Sequence, residues 1–177
     1  MKTAFVTGTT SGFGHAFALR LAKLGYNLII TGRRKERLED LAEEIRKVFG
    51  VEVLPLNFDV RDNEACKTAI NSLPEKFQKI DLLVNNAGLA AGASPFNESD
   101  LDDFERMLDT NVKGLLYVTK LIIPDMIERK KGQIINISSI AGIEVYPNGH
   151  VYCASKHAVN AITKGLRIDL VKHGIRV

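Results

Sequence analysis

Cysteine is nearly absent. Cys66 and Cys153 are the only two, too few for a disulfide framework, which fits a reducing compartment and a cytoplasmic protein. Cys153 reads as a small helix-packing residue. No apolar run approaches the roughly 20 residues of a membrane span. The chain enters its first strand almost at once, which leaves no room for a signal peptide. His15, His150, His157 and His173 show no metal-ligand spacing, so no metal is expected. Charge of one sign is also missing. The net charge is +3, and Glu36, Glu39 and Asp40 break up the one basic cluster from Arg33 to Arg37. That argues against a nucleic-acid face. Repeats, low-complexity segments and linkers are absent. A chain of 177 residues with 45% hydrophobic and 25% charged residues reads as one globular domain.

Strand and helix patterns alternate along the whole chain, the signature of a parallel sheet covered on both faces. Strands are predicted at 3–7, 27–31, 51–57, 81–85, 133–138 and from Ile175 to the last residue. Helices are predicted at 35–49, 63–73, 100–130 and 151–172. The fold class is therefore α/β, a doubly wound Rossmann-type sheet in the order 3-2-1-4-5-6, with the sixth strand only begun. The two long helices carry apolar residues around much of their circumference, including Leu115, Leu116, Ile122 and Met126 in one and Val159, Ile162 and Leu166 in the other. One stripe suits the sheet; the excess suggests a second buried face.

The first strand runs into Gly8-Thr-Thr-Ser-Gly12-Phe-Gly14 and then a helical pattern. Strand, glycine loop and helix in that order suit a dinucleotide, because glycine lets backbone approach a pyrophosphate and a helix start presents unpaired N–H groups. The spacing is Gly-x3-Gly-x-Gly rather than Gly-x-Gly-x-x-Gly, and a plain strand-to-helix turn would look similar. On this reading Gly8, Thr10, Ser11, Gly12, Phe13 and Gly14 bind the cofactor. NAD enzymes place a carboxylate about 20 residues beyond such a loop, on the ribose hydroxyls. Here Gly32 stands there, followed by Arg33 and Arg34. A guanidinium can clamp a 2′-phosphate, which predicts NADP through Arg33 with Arg34 assisting. A solvated, charged helix start would use the same residues.

Tyr152 and Lys156 lie four residues apart in a helical pattern, so both side chains leave one face. A fixed ammonium beside a phenol favours the phenolate and makes the phenol a usable acid near neutrality. Alone, Tyr-x-x-x-Lys is common and usually means a lysine packed on a ring.

Taken together, Thr7-Gly8-x3-Gly12-x-Gly14, Asn85-Asn86-Ala87-Gly88, Asn111, Ser139 and Tyr152-x3-Lys156 resemble the classical short-chain dehydrogenase/reductases, from residue 3 to the end of the chain. Gly12-Phe13-Gly14, Thr31-Gly32-Arg33-Arg34-x-x-Arg37-Leu38 and Asn86-Ala87-Gly88-Leu89-Ala90 are most similar to the NADP-dependent 3-hydroxy acid, serine-type dehydrogenases. The resemblance implies that Asp59 and Val60 lie beside the adenine and that Asn86, Ala87 and Gly88 pass beneath the nicotinamide side. It implies that Asn111 holds a water extending a proton relay from the lysine. Ser139 would hold the substrate carbonyl; Ser138 competes for the role, but the family's serine-to-tyrosine spacing favours Ser139. Tyr152 would exchange the proton, and Lys156 would make the phenol more acidic while binding the nicotinamide ribose. The two long helices would form a subunit interface in a homotetramer.

The expected function is thus NADP-dependent interconversion of a secondary alcohol and a carbonyl, on a small 3-hydroxy acid. A 3-oxoacyl-thioester reductase is the runner-up, disfavoured by Ser11 where that group carries a basic residue. A catalytically silent nucleotide-binding or scaffolding protein is the alternative of another class. Members of the family continue through a full sixth strand, a substrate lid and a seventh strand. Residues 1–177 are accordingly expected to be a single dinucleotide-binding catalytic domain that lacks the family's C-terminal part.

Overall fold

Side chains along a parallel strand alternate between the two faces of the sheet, and helices on both sides make two separate cores. The computed structural model, which describes residues 1–177, shows this in strands β1 (Thr3–Val6), β2 (Asn27–Gly32), β3 (Val53–Asn57), β4 (Leu82–Asn85), β5 (Gly132–Asn136) and β6 (Ile175–Arg176). They form one six-stranded sheet in the order β3-β2-β1-β4-β5-β6, and every pairing is parallel. Ala4, Val6, Leu28, Ile30, Leu82 and Val84 face helices α1 (Gly12–Lys23) and α2 (Lys35–Phe49). Phe5, Ile29, Leu83 and Ile134 face the opposite way, onto α3 (Asn63–Asn71), the one-turn α4 (Glu75–Gln78) and two longer helices. The doubly wound architecture and strand order are those expected. No helix is long and apolar enough to cross a membrane.

The helical stretch expected over residues 100–130 is three pieces. Helix α5 (Leu101–Leu108) passes through a π-helical segment, Asp109–Gly114, into α6 (Leu115–Glu128). A π turn widens the helix by one residue and so redirects side chains. Here it turns Thr110 and Asn111 inward, where both are buried. Gly114 makes the approach possible, because a Cβ there would stand 2.7 Å from Val60 Cγ2. The other long helix, α7 (His150–Leu170), starts after a short 3-10 turn at Ile140–Gly142. Smaller departures lie at element ends: β3 starts at Val53, although Val51 is also buried, and α3 stops at Asn71.

Gly114→Ala is expected to destabilise the protein by about 1–3 kcal/mol, the range for overpacking. Val60 Cβ and carbonyl oxygen, at 3.1 and 3.2 Å, leave the new methyl nowhere to go. Urea unfolding checks this; a loss near zero would show that the Val60 segment yields freely.

Candidate active site

The order of the sheet puts β1 beside β4, and the chain leaves their carboxyl ends in opposite directions. A crevice opens at such a switch point. Thr7 and Asn86 build its floor. The Thr7 hydroxyl accepts from the backbone N–H of Asn86 (3.0 Å) and Ala87 (2.9 Å). In return the Asn86 amide donates to the carbonyls of Thr7 (2.8 Å) and Gly8 (3.1 Å). Gly8 and Gly12 have φ of +70° and +58°, the left-handed region that glycine enters without strain. Gly14 does not border the cleft but sets its shape. A Cβ there would overlap both the Gly8 carbonyl oxygen and Asn86 Nδ2.

Above this floor lies a cleft of about 730 Å³, inside the roughly 300–1,000 Å³ range of cofactor and ligand sites. It brings together Gly8, Thr10, Ser11, Gly12, Phe13, Arg33, Arg34, Asp59, Val60, Asn86, Ala87 and Gly88 with Ser139, Tyr152 and Lys156. Of the expected site residues, only Gly14 and Asn111 stand outside its lining.

One end is cationic. Arg34 donates through Nε (3.1 Å) and Nη2 (2.7 Å) to the Thr10 hydroxyl, and through Nη2 to Ser11 Oγ at 3.0 Å. Ser11 therefore makes no side-chain cap for α1, and no acidic residue occupies that helix's first turn. The helix start is left open to an anion. Arg33 extends into solvent, its side chain 60% exposed, with Nη1 3.6 Å from Asp59 Oδ2. Burial pushes the Asp59 carboxyl up, but hydrogen bonds from the Arg61 side chain and backbone outweigh this, with smaller help from the Arg61 and Arg33 charges. The net result lies below the ordinary carboxylate value. The helix following Asp59 is capped by Asp62, which accepts from Ala65 N at 3.0 Å.

The other end gathers Ser138, Ser139, Tyr152 and Lys156. Lys156 is only 6% exposed. Its Nζ donates to the Ile137 carbonyl at 2.9 Å and lies 5.9 Å from the centre of the Tyr152 ring. Burial alone lowers its pKa from the ordinary 10.5, because an ammonium is poorly solvated there. The two adjacent serines differ. Ser138 Oγ donates to the Lys156 carbonyl at 3.5 Å, so its proton turns back onto α7. Ser139 Oγ accepts from Ala141 N at 3.2 Å, capping the turn after β5, and its hydroxyl hydrogen remains free for a ligand.

Asn111, 2% exposed, serves both sides of the site through backbone. Its Oδ1 accepts from Leu89 N at 2.8 Å, and its Nδ2 donates to Leu89 O (2.9 Å) and Ser155 Oγ (3.0 Å). The Ser155 hydroxyl then donates to the Tyr152 carbonyl at 2.7 Å. The asparagine side chain thus ties the Gly88–Leu89 segment to the helix that carries Tyr152. Sequence reasoning missed Thr31 and Thr110, which also line the cleft; both are buried and their hydroxyls lack a partner. The position of Thr110 next to Asn111 was the one available signal.

These residues would suit a phosphorylated dinucleotide. Glycines keep the floor bare, guanidinium and hydroxyl groups gather at one end, and no carboxylate stands at Gly32 where a 2′-phosphate would be repelled. Known proteins resemble this chain in sequence and fold. A probable NADP-dependent dehydrogenase of Haemophilus influenzae is 49% identical over 175 residues, 99% of this chain and 68% of that one. An NADP-dependent 3-hydroxy acid dehydrogenase of Salmonella typhi is 45% identical over 97% of this chain and 68% of its own length. Among solved structures, the closed form of a serine dehydrogenase complexed with NADP+ superposes with a TM-score of 0.91 at 43% identity, covering 99% of this chain and 69% of that one. The short chain dehydrogenase family matches residues 2–177, and the chain belongs to that family.

Proposed function

We propose that the protein is an NADP(H)-dependent oxidoreductase that interconverts a secondary alcohol and a carbonyl, with a small 3-hydroxy acid as substrate and Tyr152 as the acid and base. The observation that carries this is a single cleft with an arginine pair at one end and Tyr152, Lys156 and a serine with a free hydrogen at the other. When bound, the nicotinamide supplies or takes the hydride. The rest falls to the chain's own side chains. Ser139 donates its free hydroxyl hydrogen to the substrate oxygen and holds the carbonyl polarised. Tyr152 gives that oxygen a proton during reduction and takes it back during oxidation. Lys156, fixed by Ile137 O and shielded from water, acts through a field that solvent screens weakly. The names of the related 3-hydroxy acid and serine dehydrogenases support the substrate class. Leu116 on α6 and Ile168 on α7 are exposed, which supports a homotetramer joined through these helices.

Arg33→Ala should weaken NADPH binding by about 1.5–3 kcal/mol, the range for charge-assisted bonds, and leave NADH binding nearly unchanged. Fluorescence titration with both nucleotides checks it; equal losses would remove Arg33 from the 2′-phosphate.

Tyr152→Phe should abolish turnover while cofactor affinity stays, since only the proton donor is lost. Lys156→Ala should reduce both. A Tyr152→Phe protein that keeps most of its rate would rule the phenol out as the acid.

The buried lysine also predicts a pH dependence of stability. Its folded pKa is depressed, so between that value and 10.5 the unfolded chain holds more protons than the folded one. Stability therefore rises with pH across this window, and below it the buried ammonium costs stability in full. Chemical denaturation of wild type and Lys156→Met at several pH values should show the wild type gaining on the variant as pH climbs towards 10.5. Parallel curves would show that the lysine is solvated as in an unfolded chain.

A further inference from the structure

Arg61 lies outside the cleft lining, yet it binds a carboxylate that borders the cationic end. Asp59 borders the cleft and is the carboxylate that could disable Arg33. An aspartate that closes on Arg33 occupies the donors a phosphate would use and cancels half the attraction for it. In the structure Asp59 is instead saturated from its own loop. Its Oδ2 accepts from Arg61 Nε (3.0 Å) and Nη2 (2.7 Å), and its Oδ1 accepts from the Arg61 backbone N–H at 3.0 Å. Arg33 Nη1 stands 3.6 Å from the same Oδ2, an ion pair without a hydrogen bond, so its donors stay available. Arg61 is the better sheltered of the two, with its side chain 33% exposed against 60% for Arg33. Its bonds are therefore less exposed to competition from water and salt.

We infer that Arg61 is a positioning residue for cofactor choice: by holding Asp59 it keeps the Arg33 guanidinium free for the 2′-phosphate of NADP(H). The inference rests on the proposed NADP reading and adds to it a residue that touches neither cofactor nor substrate. The adenine side and the phosphate side of the site are coupled through one carboxylate. Losing Arg61 releases Asp59 towards Arg33, and the penalty falls on the phosphorylated nucleotide alone. The carboxylate's ordering of groups matches this, since the Arg61 bonds lower its pKa more than the Arg33 charge does.

The test is a double-mutant cycle read as the ratio of NADPH to NADH dissociation constants in the whole protein. Arg61→Ala should weaken NADPH about tenfold and NADH less than about twofold, because one charge-assisted contact is lost from one ligand only. In an Asp59→Asn background the same Arg61→Ala change should leave the ratio unmoved, since no carboxylate remains to capture Arg33. Arg61→Lys keeps the charge with a single-point donor and should fall between, which covers the case in which the alanine variant folds poorly. Equal weakening of both nucleotides would mean that Arg61 only shapes the loop, and overturns the inference. A ratio change that persists in the Asp59→Asn background would mean direct long-range attraction, and also overturns it. If wild type shows no NADPH preference and Arg33→Ala changes nothing, the NADP reading itself fails. A preference that depends on Arg33 but not on Arg61 defeats this inference alone.

Discussion

The fit of Gly14 against the Gly8 carbonyl and the Asn86 amide is the contact on which the rest of the site depends. It leaves no room for a side chain, so the start of α1 is pressed onto the loop leaving β1, and that loop onto the segment leaving β4. From this point hydrogen bonds run in two directions. Towards the cationic end, Thr9 N bonds to Thr31 O at 2.9 Å, bringing β2 alongside, and the Thr10 and Ser11 hydroxyls fix Arg34. Towards the Tyr152 end, Asn86 and Ala87 continue to Leu89, which Asn111 binds, and Asn111 reaches Tyr152 through Ser155. The two chemically different ends are thus set by one continuous framework of backbone and small polar groups.

The ends use charge in opposite ways. Arg33 and Arg34 are exposed, so their attraction for a phosphate is softened by water and salt and depends on directed hydrogen bonds. Lys156 is buried, so its charge costs stability but acts on its surroundings with little screening. Both arrangements follow from position in the fold: the arginines stand between β2 and the exposed start of α2, and the lysine sits near the start of α7, over the end of β5.

Much of this was legible in the sequence because local signals and tertiary demands coincide. The α2 boundaries, Lys35–Phe49, follow from the amphipathic repeat and the glycine that ends it. The strand order follows from alternation and crossover handedness. The π segment at Asp109–Gly114 was not legible. Its cause is non-local: Val60 presses against Gly114, and Leu89 and Ser155 bind Asn111. The spacing of Ser139 from Tyr152 favours it over Ser138, but only the fold shows that the Ser138 hydroxyl turns back to the Lys156 carbonyl. The pairing of Arg61 with Asp59 beside Arg33 was hidden for the same reason, since it depends on the adjacent ends of β2 and β3.

The most direct measurement is a crystal structure of the protein grown with NADP+. The account predicts the 2′-phosphate between Arg33 and Arg34, at hydrogen-bond distances of about 2.7–3.2 Å. It also predicts the nicotinamide end above Gly88 beside Tyr152, with Asp59 still held by Arg61. A dinucleotide bound elsewhere, or one whose 2′-phosphate turns to solvent while Arg33 closes on Asp59, would contradict it.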